Sequence, residues 1–372
     1  MTAAAKQDAR NDIPAPWETL ELQAQGRAER TLLSAWQSGR LPHAWLLTGP
    51  RGVGKATLAY RFARFVLSGG GEESGGLFGD AAPATSLEVD PEAPVARRLA
   101  HQAHPDLTSL RRTPDPQGKS QKLRSVITVD QVRKAVGFLQ MTPGEGGWRI
   151  LIVDAAEDMN ANAQNALLKA LEEPKSNTLI LLISHAPGQL LPTIHSRCCR
   201  LPLAPLPEDV VEGLLAKFRP DIGTDDGRAL ARLSEGSIGR ALDMADIGGL
   251  ELYRDVVDIL TGLPELDIAR VDALADRLGR DSDGQAFRVG GELICWWLAR
   301  MIRSGAGGAA PTEVVAGENA LADRLLAARG LDRWLSLWEK INRLFDRAER
   351  ANLNRKQVIV TAFLELRSQS AG

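Results

Sequence analysis

Residues 49–57, Gly-Pro-Arg-Gly-Val-Gly-Lys-Ala-Thr, constrain this chain more than any other stretch. They follow the apolar run Ala44, Trp45, Leu46, Leu47 and precede an amphipathic segment through Leu58, Phe62, Phe65 and Val66. That order reads as strand, glycine loop and helix start, the context a phosphate-binding loop requires. Gly49, Gly52 and Gly54 let the backbone around Val53 curl with its N–H groups inward. The helix N-terminus adds a partial positive charge, and Lys55 reaches the terminal phosphates of a bound ATP or ADP. The plainer alternative is a glycine-rich turn with no ligand, which gives the lysine no task.

One position departs from the pattern. A Ser or Thr directly after the lysine ligates the nucleotide's magnesium, and here that residue is Ala56. Thr57 stands one step further along the helix, turned by about 100°, so it does not simply replace the missing hydroxyl. Nucleotide binding tolerates this change better than magnesium-dependent hydrolysis does.

A length of 372 residues suggests two or three domains, and a net charge of -2 announces no polyanion-binding tail. The cysteines, Cys198, Cys199 and Cys295, form neither a disulfide framework nor a four-cysteine zinc site. No apolar run is long enough to cross a bilayer and the N-terminus lacks a signal-peptide hydrophobic region, so a cytoplasmic location is expected.

Residues 1–17 read as a flexible N-terminal arm, and 20–36 have the spacing of a helix. Residues 69–94, rich in Gly, Ala, Pro and acids, read as a flexible excursion. His101, His104 and Asp106 lie close enough to raise the question of a metal, but with no second spaced pair an ordinary structural role is favoured. Arg111, Arg112, Lys119, Lys122 and Arg124 read as a solvated loop. A helix is expected over 130–138 and a strand over 149–153 that closes on Asp154. A buried strand ending in Asp is the form of a Walker B strand, whose carboxylate holds magnesium beside the phosphate loop. The next residues are Ala155 and Ala156, and the first acid is Glu157, read as a residue of the following turn. A helix over 162–174 with Leu167, Leu168 and Leu171 inward, stopped by Pro174, and an apolar strand over 178–183 come next.

The order of phosphate loop, strand with Asp154, Asn-Ala-Leu-Leu-Lys-Ala-Leu-Glu-Glu-Pro helix, strand, and Ser196-Arg197-Cys198 resembles the bacterial clamp-loader branch of the AAA+ ATPases. The segment 353–366 is similar to the close of that family's collar domain, so the resemblance covers nearly the whole chain. It implies an α/β P-loop AAA+ domain with a parallel sheet over 18–205, a small helical lid over 206–248, and an all-α collar or oligomerisation domain over 249–372. Active AAA+ members carry a glutamate where this chain has Ala155. Their sensor 2 arginine falls on Gly239, with Arg240 one place late and read as a helix-surface residue.

The resemblance further implies that Arg197 serves as an arginine finger acting in trans on a neighbour's nucleotide, and that Gly49, Gly52, Val53, Gly54, Lys55, Ala56, Thr57 and Asp154 form this chain's own nucleotide site. With Ala56, Ala155 and Gly239 altered, the chain is expected to hydrolyse ATP weakly or not at all alone, as a component of the DNA polymerase III holoenzyme. The implied partners are the loader's delta and gamma or tau subunits in a hetero-pentamer, with the sliding clamp and primed DNA reached through that complex. The isolated chain is expected to be a monomer. Family members commonly carry a four-cysteine zinc module after the loop helix; residues 69–94 stand there instead, so no zinc or other metal is expected. Apolar stripes through Leu331, Trp334, Leu335, Trp338, Ile341 and Phe345, and through Ile294, Trp297, Leu298 and Met301, belong to the collar. An autonomous AAA+ remodelling ATPase would share the loop and Arg197 but should self-assemble. A P-loop kinase would leave Ser196-Arg197-Cys198 unexplained.

Overall fold

The computed structural model describes residues 13–70, 84–113, 126–145, 147–281, 284–351 and 353–370. Two compact units emerge: one runs to Leu214 and takes in Glu235–Gly239, and the other comprises Leu215–Ser234 and the chain from Arg240 on.

The first unit is built on five parallel strands: β1 (Ala44–Thr48), β2 (Leu107–Leu110), β3 (Arg149–Asp154), β4 (Thr178–Ser184) and β5 (Cys199–Pro202), in the order β2-β3-β4-β1-β5. The three inner strands are apolar almost throughout because helices cover both faces, so alternate side chains enter two separate cores. Trp45, Leu47, Ile150, Ile152, Leu179 and Leu181 meet Leu58, Phe62 and Phe65 of α2 (Lys55–Leu67) and Leu32 of α1 (Gly26–Gln37) on one face. On the other, Leu46, Leu151, Val153, Ile180 and Leu182 meet Val132, Ala135 and Leu139 of α4 (Val129–Leu139) and Ala163, Leu167 and Leu171 of α5 (Ala161–Glu172). A short α3 (Pro94–Ala100) lies between α2 and β2 in sequence, and a single-turn α6 (Pro192–His195) precedes β5.

Local chemistry sets the ends of these helices. Thr128 and Gln131 form a reciprocal capping box on α4, and the Asn160 side chain accepts from the Ala163 N–H at 2.9 Å to start α5. The expected parallel α/β domain is therefore observed, and strands 149–153 and 178–183 are each found with one further residue.

Three expectations need correction. The helix expected over 20–36 begins only at Gly26, because Leu22 packs under Gly54 and the side chain of Gln25 is taken up by Val53 and Ala204 carbonyls. Part of the 69–94 excursion is packed: Leu87 is buried in the α2-side core, and Gln37 donates to the Ala84 carbonyl at 2.6 Å; residues 71–83 lie outside the described residues. Arg111 and Arg112 lie exposed in a loop, as expected, with Arg111 stacked 4.5 Å over the Trp17 ring and Arg112 paired with Asp158 at 3.1 Å. Lys119, Lys122 and Arg124 lie outside the described residues, as does most of the 1–17 arm. Finally, β2 and β5 were not foreseen: each has only four residues, and β5 contains Arg200 and Pro202, which a sheet tolerates at its edge.

His104 and Asp106 are structural. The buried Asp106 carboxylate accepts from the Gly144 and Glu145 N–H groups at 2.7 and 3.1 Å and stands 3.5 Å from Arg149, while His104 Nδ1 accepts from the Asp106 N–H. This network ties the turn before β3 to the start of β2. Among the described residues no cluster of His, Cys, Asp and Glu is placed to hold a metal.

Among the described residues the other unit is all helical. It contains α8 (Thr224–Leu233), α9 (Ile238–Ile247, from Arg240 on), α10 (Gly249–Thr261), α11 (Ile268–Gly279), α12 (Gln285–Gly305), α13 (Glu318–Ala328), α14 (Leu331–Ala351) and α15 (Arg355–Ser370); α7 (Glu208–Phe218) precedes α8 in the chain. Gly291 of α12 lies so close to Phe345 of α14 that a β-carbon there would meet the ring at 2.7 Å. Trp334 is fully buried, with its indole N–H donating to the Leu325 carbonyl at 3.2 Å. The expected stripe on α14 is shifted: Leu337 is buried, whereas Leu335 is 42% exposed.

Candidate nucleotide-binding site and the face bearing Arg197

Parallel strands deliver all their C-terminal ends to one edge, and the sequence-predicted nucleotide residues collect there. The loop 49–54 leaves β1 with Gly49, Gly52 and Gly54 at φ +143°, +77° and +95°, the region where only glycine is unstrained. Val53 is fully buried, Lys55 opens α2, and Ala56 packs toward the core below. Such a curled backbone at a helix N-terminus fits the phosphates of a nucleotide.

Lys55 Nζ donates to the Gly49 carbonyl at 2.7 Å and also to that of Pro50. Burial pushes its pKa down to about 8, against the opposing pull of Glu157 and Asp154. Asp154 closes β3, with β4 between it and β1, and burial raises its carboxyl above the usual range despite His185 and Lys55 nearby. Lys55 and Asp154 thus lie close enough to feel each other's charge, while burial works against the charged form of each.

Glu157 has a clear task. Its Oε1 accepts from the N–H groups of His185 and Ala186 at 2.8 and 2.9 Å and lies 3.1 Å from His185 Nδ1. Burial alone would raise its pKa, but these backbone donors and His185 outweigh it and hold the carboxyl low. Through this oxygen the carboxylate fastens the turn after β4.

Three contributors were missed in the sequence. Gln25 Nε2 bridges the Val53 and Ala204 carbonyls at 3.2 and 2.8 Å, and His185 reaches the edge from the end of β4. Ser237 Oγ donates to the Arg51 carbonyl at 2.7 Å, and the Gly239 N–H donates to the Gly52 carbonyl at 3.3 Å. His185 had a usable signal, since it follows an apolar strand flanked by the phosphate-loop and Asp154 strands. The others depend on long-range contacts that carry no local pattern. Arg240, beyond Gly239, stands 3.8 Å from Glu292 in the helical unit.

Arg197 lies at the opposite edge of the sheet. It precedes β5, whose first residue Cys199 is in register with Trp45 near the start of β1, whereas Pro202 is in register with Thr48 next to the phosphate loop. A strand of this length separates the two edges by roughly 13 Å or more. Its guanidinium is 2.7 Å from Glu172 Oε1 and donates to the Thr193 carbonyl at 3.1 Å. The structure therefore brings Gly49 to Thr57 and Asp154 together and keeps Arg197 apart from them.

Fold and site define an α/β P-loop protein with a parallel sheet. A family profile described as DNA polymerase III, delta subunit, matches residues 24–207. The chain is 36% identical over 256 residues to DNA polymerase III subunit delta' of Pseudomonas aeruginosa, covering 68% of each chain. It is 30% identical over 231 residues to the same subunit of Bacillus subtilis, covering 62% of this chain and 61% of the relative. A DNA polymerase III subunit gamma/tau of Mycobacterium bovis is 28% identical over 270 residues, 71% of this chain and 43% of that protein. The chain belongs to the delta-prime subunits of DNA polymerase III.

Proposed function

We propose that this chain is the delta-prime member of a clamp loader, assembled with delta and gamma or tau subunits in a hetero-pentamer that places the sliding clamp on primed DNA. In that assembly it completes a neighbour's ATP site with Arg197 and turns over little or no ATP itself. The observation that carries this reading is the separation of Arg197 from the chain's own phosphate loop. A finger must reach the transferring phosphoryl group, and a residue at the opposite edge of the sheet serves a nucleotide held elsewhere.

A nucleotide in this chain's own loop would be held by the N–H groups from Gly52 to Thr57 and by Lys55, with Asp154 alongside. Bound ATP would supply its own phosphoanhydride for cleavage. Around it Ala56 offers no hydroxyl to magnesium, Ala155 no carboxylate to water, and Gly239 no guanidinium to the γ-phosphate. One oxygen of Glu157 is already engaged by two backbone donors. The residues therefore support retention of ATP or ADP far better than its hydrolysis. The proposed domain division is 18–205 for the nucleotide-binding domain, 206–248 for the lid and 249–372 for the collar. We assign no zinc to the chain.

The test is clamp- and DNA-stimulated ATP turnover by a reconstituted loader carrying either the native chain or Arg197→Ala, with assembly checked by size. The expected result is a large loss of turnover at unchanged assembly. Unchanged turnover would remove Arg197 from catalysis. Self-assembly of the isolated chain with substantial turnover abolished by Lys55→Ala would favour an autonomous remodelling ATPase.

A further inference from the structure

Glu172 is an unexpected residue where it stands. It is the last residue of α5, the end of a helix where unsatisfied carbonyls carry partial negative charge and a lysine or arginine would be the locally favourable choice. Its carboxylate instead faces the Arg197 guanidinium, with Oε1 2.7 Å from Nη2.

The backbone leading to Arg197 is already fixed by α5. Gln164 donates to the Met159 carbonyl at 3.0 Å and accepts from the Leu191 N–H at 2.8 Å, which anchors the entry to α6. Ile194, fully buried against the α5-side core, anchors its middle. What remains undetermined is the long side chain of Arg197, which has many rotamers to choose from. Three contacts select one: Nη2 with Glu172, and Nη1 with the Thr193 carbonyl and Ser196 Oγ, each at 3.1 Å. Glu172 is the only one of these partners that brings a full opposite charge. The arginine side chain remains 34% exposed, so the contact orients the guanidinium without burying it.

We propose that Glu172 is the positioning residue for Arg197, holding the guanidinium in a presented conformation before a neighbour's nucleotide arrives. The proposal rests on the reading that Arg197 acts in trans. Charged groups set in place in advance need no reorganisation as the reaction proceeds, which is where their catalytic value lies. Glu172 touches no reacting atom; it acts through the arginine.

The experiment uses the reconstituted loader with the native chain, Glu172→Ala, Glu172→Gln, Arg197→Ala and the double variant Glu172→Ala with Arg197→Ala, each checked for assembly and thermal midpoint. Glu172→Ala is expected to lower the stimulated kcat by about three- to tenfold, with the KM for ATP and assembly unchanged. Glu172→Gln, whose amide oxygen still accepts from the guanidinium, should fall between the two. In the Arg197→Ala background the alanine at 172 should have no further effect. An equal loss in both backgrounds would overturn the proposal, because Glu172 would then act by another route. Full turnover in Glu172→Ala, where Arg197→Ala is impaired, would overturn it as well. If Arg197→Ala itself loses nothing, the finger reading falls, and the role of Glu172 falls with it.

Discussion

The Gly239 N–H donates to the Gly52 carbonyl at 3.3 Å, and a β-carbon on Gly52 would lie 2.8 Å from that same nitrogen and 2.4 Å from Ser237 Oγ. The contact is between two backbones: Gly52 has no room for a side chain, and a β-carbon on Gly239 would press on Gly52 Cα at 3.0 Å. Gly239→Arg, which would restore the family's sensor arginine, is therefore expected to disturb the phosphate loop. A loss of about 1–3 kcal/mol in urea unfolding is expected, without gain of ATP hydrolysis. Unchanged stability together with new hydrolysis would show that the loop can accommodate the arginine.

Removing the Glu157 carboxylate leaves the His185 and Ala186 N–H groups without their acceptor. Glu157→Ala should cost about 1–3 kcal/mol at neutral pH. The folded carboxyl has a lowered pKa, so its contribution is complete above the ordinary glutamate value and is lost as pH falls through the lower folded value. The gap between native and variant urea midpoints should accordingly shrink in acid. A constant gap would mean that the charge of Glu157 is irrelevant to the turn.

Lys55 titrates at about 8 in the folded chain, against 10.5 for an ordinary lysine. Between those values the unfolded chain holds a proton that the folded one has released, so this group makes stability rise with pH across that window. Nucleotide affinity should move the other way. A phosphate favours the charged amine, and above about pH 8 that proton must be taken up on binding. ADP affinity, followed by a fluorescent analogue, is expected to weaken by about tenfold between pH 7 and roughly 9. Affinity that is flat in this range would place the amine away from the phosphates.

Leu167 is fully buried between α5 and the sheet. Leu167→Ala should lower unfolding free energy by about 2–5 kcal/mol. Because the same core holds Ile194, the loss should also loosen α6, seen as faster amide exchange at Ser196 and Arg197. Protection unchanged at those amides would show that α6 is held independently of this core.

The nucleotide edge was legible because its signals are local. Three glycines, a lysine and an apolar strand fix the loop, and a second apolar strand closing on Asp154 fixes its neighbour. The period of Leu167 and Leu171 likewise marked α5 and its buried face. What escaped was decided by distant partners. Leu107–Leu110 becomes a strand only because β3 offers it a ladder, and Cys199–Pro202 only because β1 does. Gln25 and Ser237 are polar residues in unremarkable surroundings until the fold brings backbone carbonyls to them. Glu157 reads in the sequence as part of a turn, and it is one, but the turn it secures is that after β4.

The Ser237 hydroxyl and the Arg51 carbonyl that accepts from it are 186 positions apart in the chain. During synthesis, residues 49–57 leave the ribosome long before residue 237 exists, so the phosphate loop cannot take its final form while the sheet's early strands are emerging. Contacts of such wide separation form late and slow the approach to the native state. Completion of the site is thereby a report that the chain has been made at least as far as Gly239.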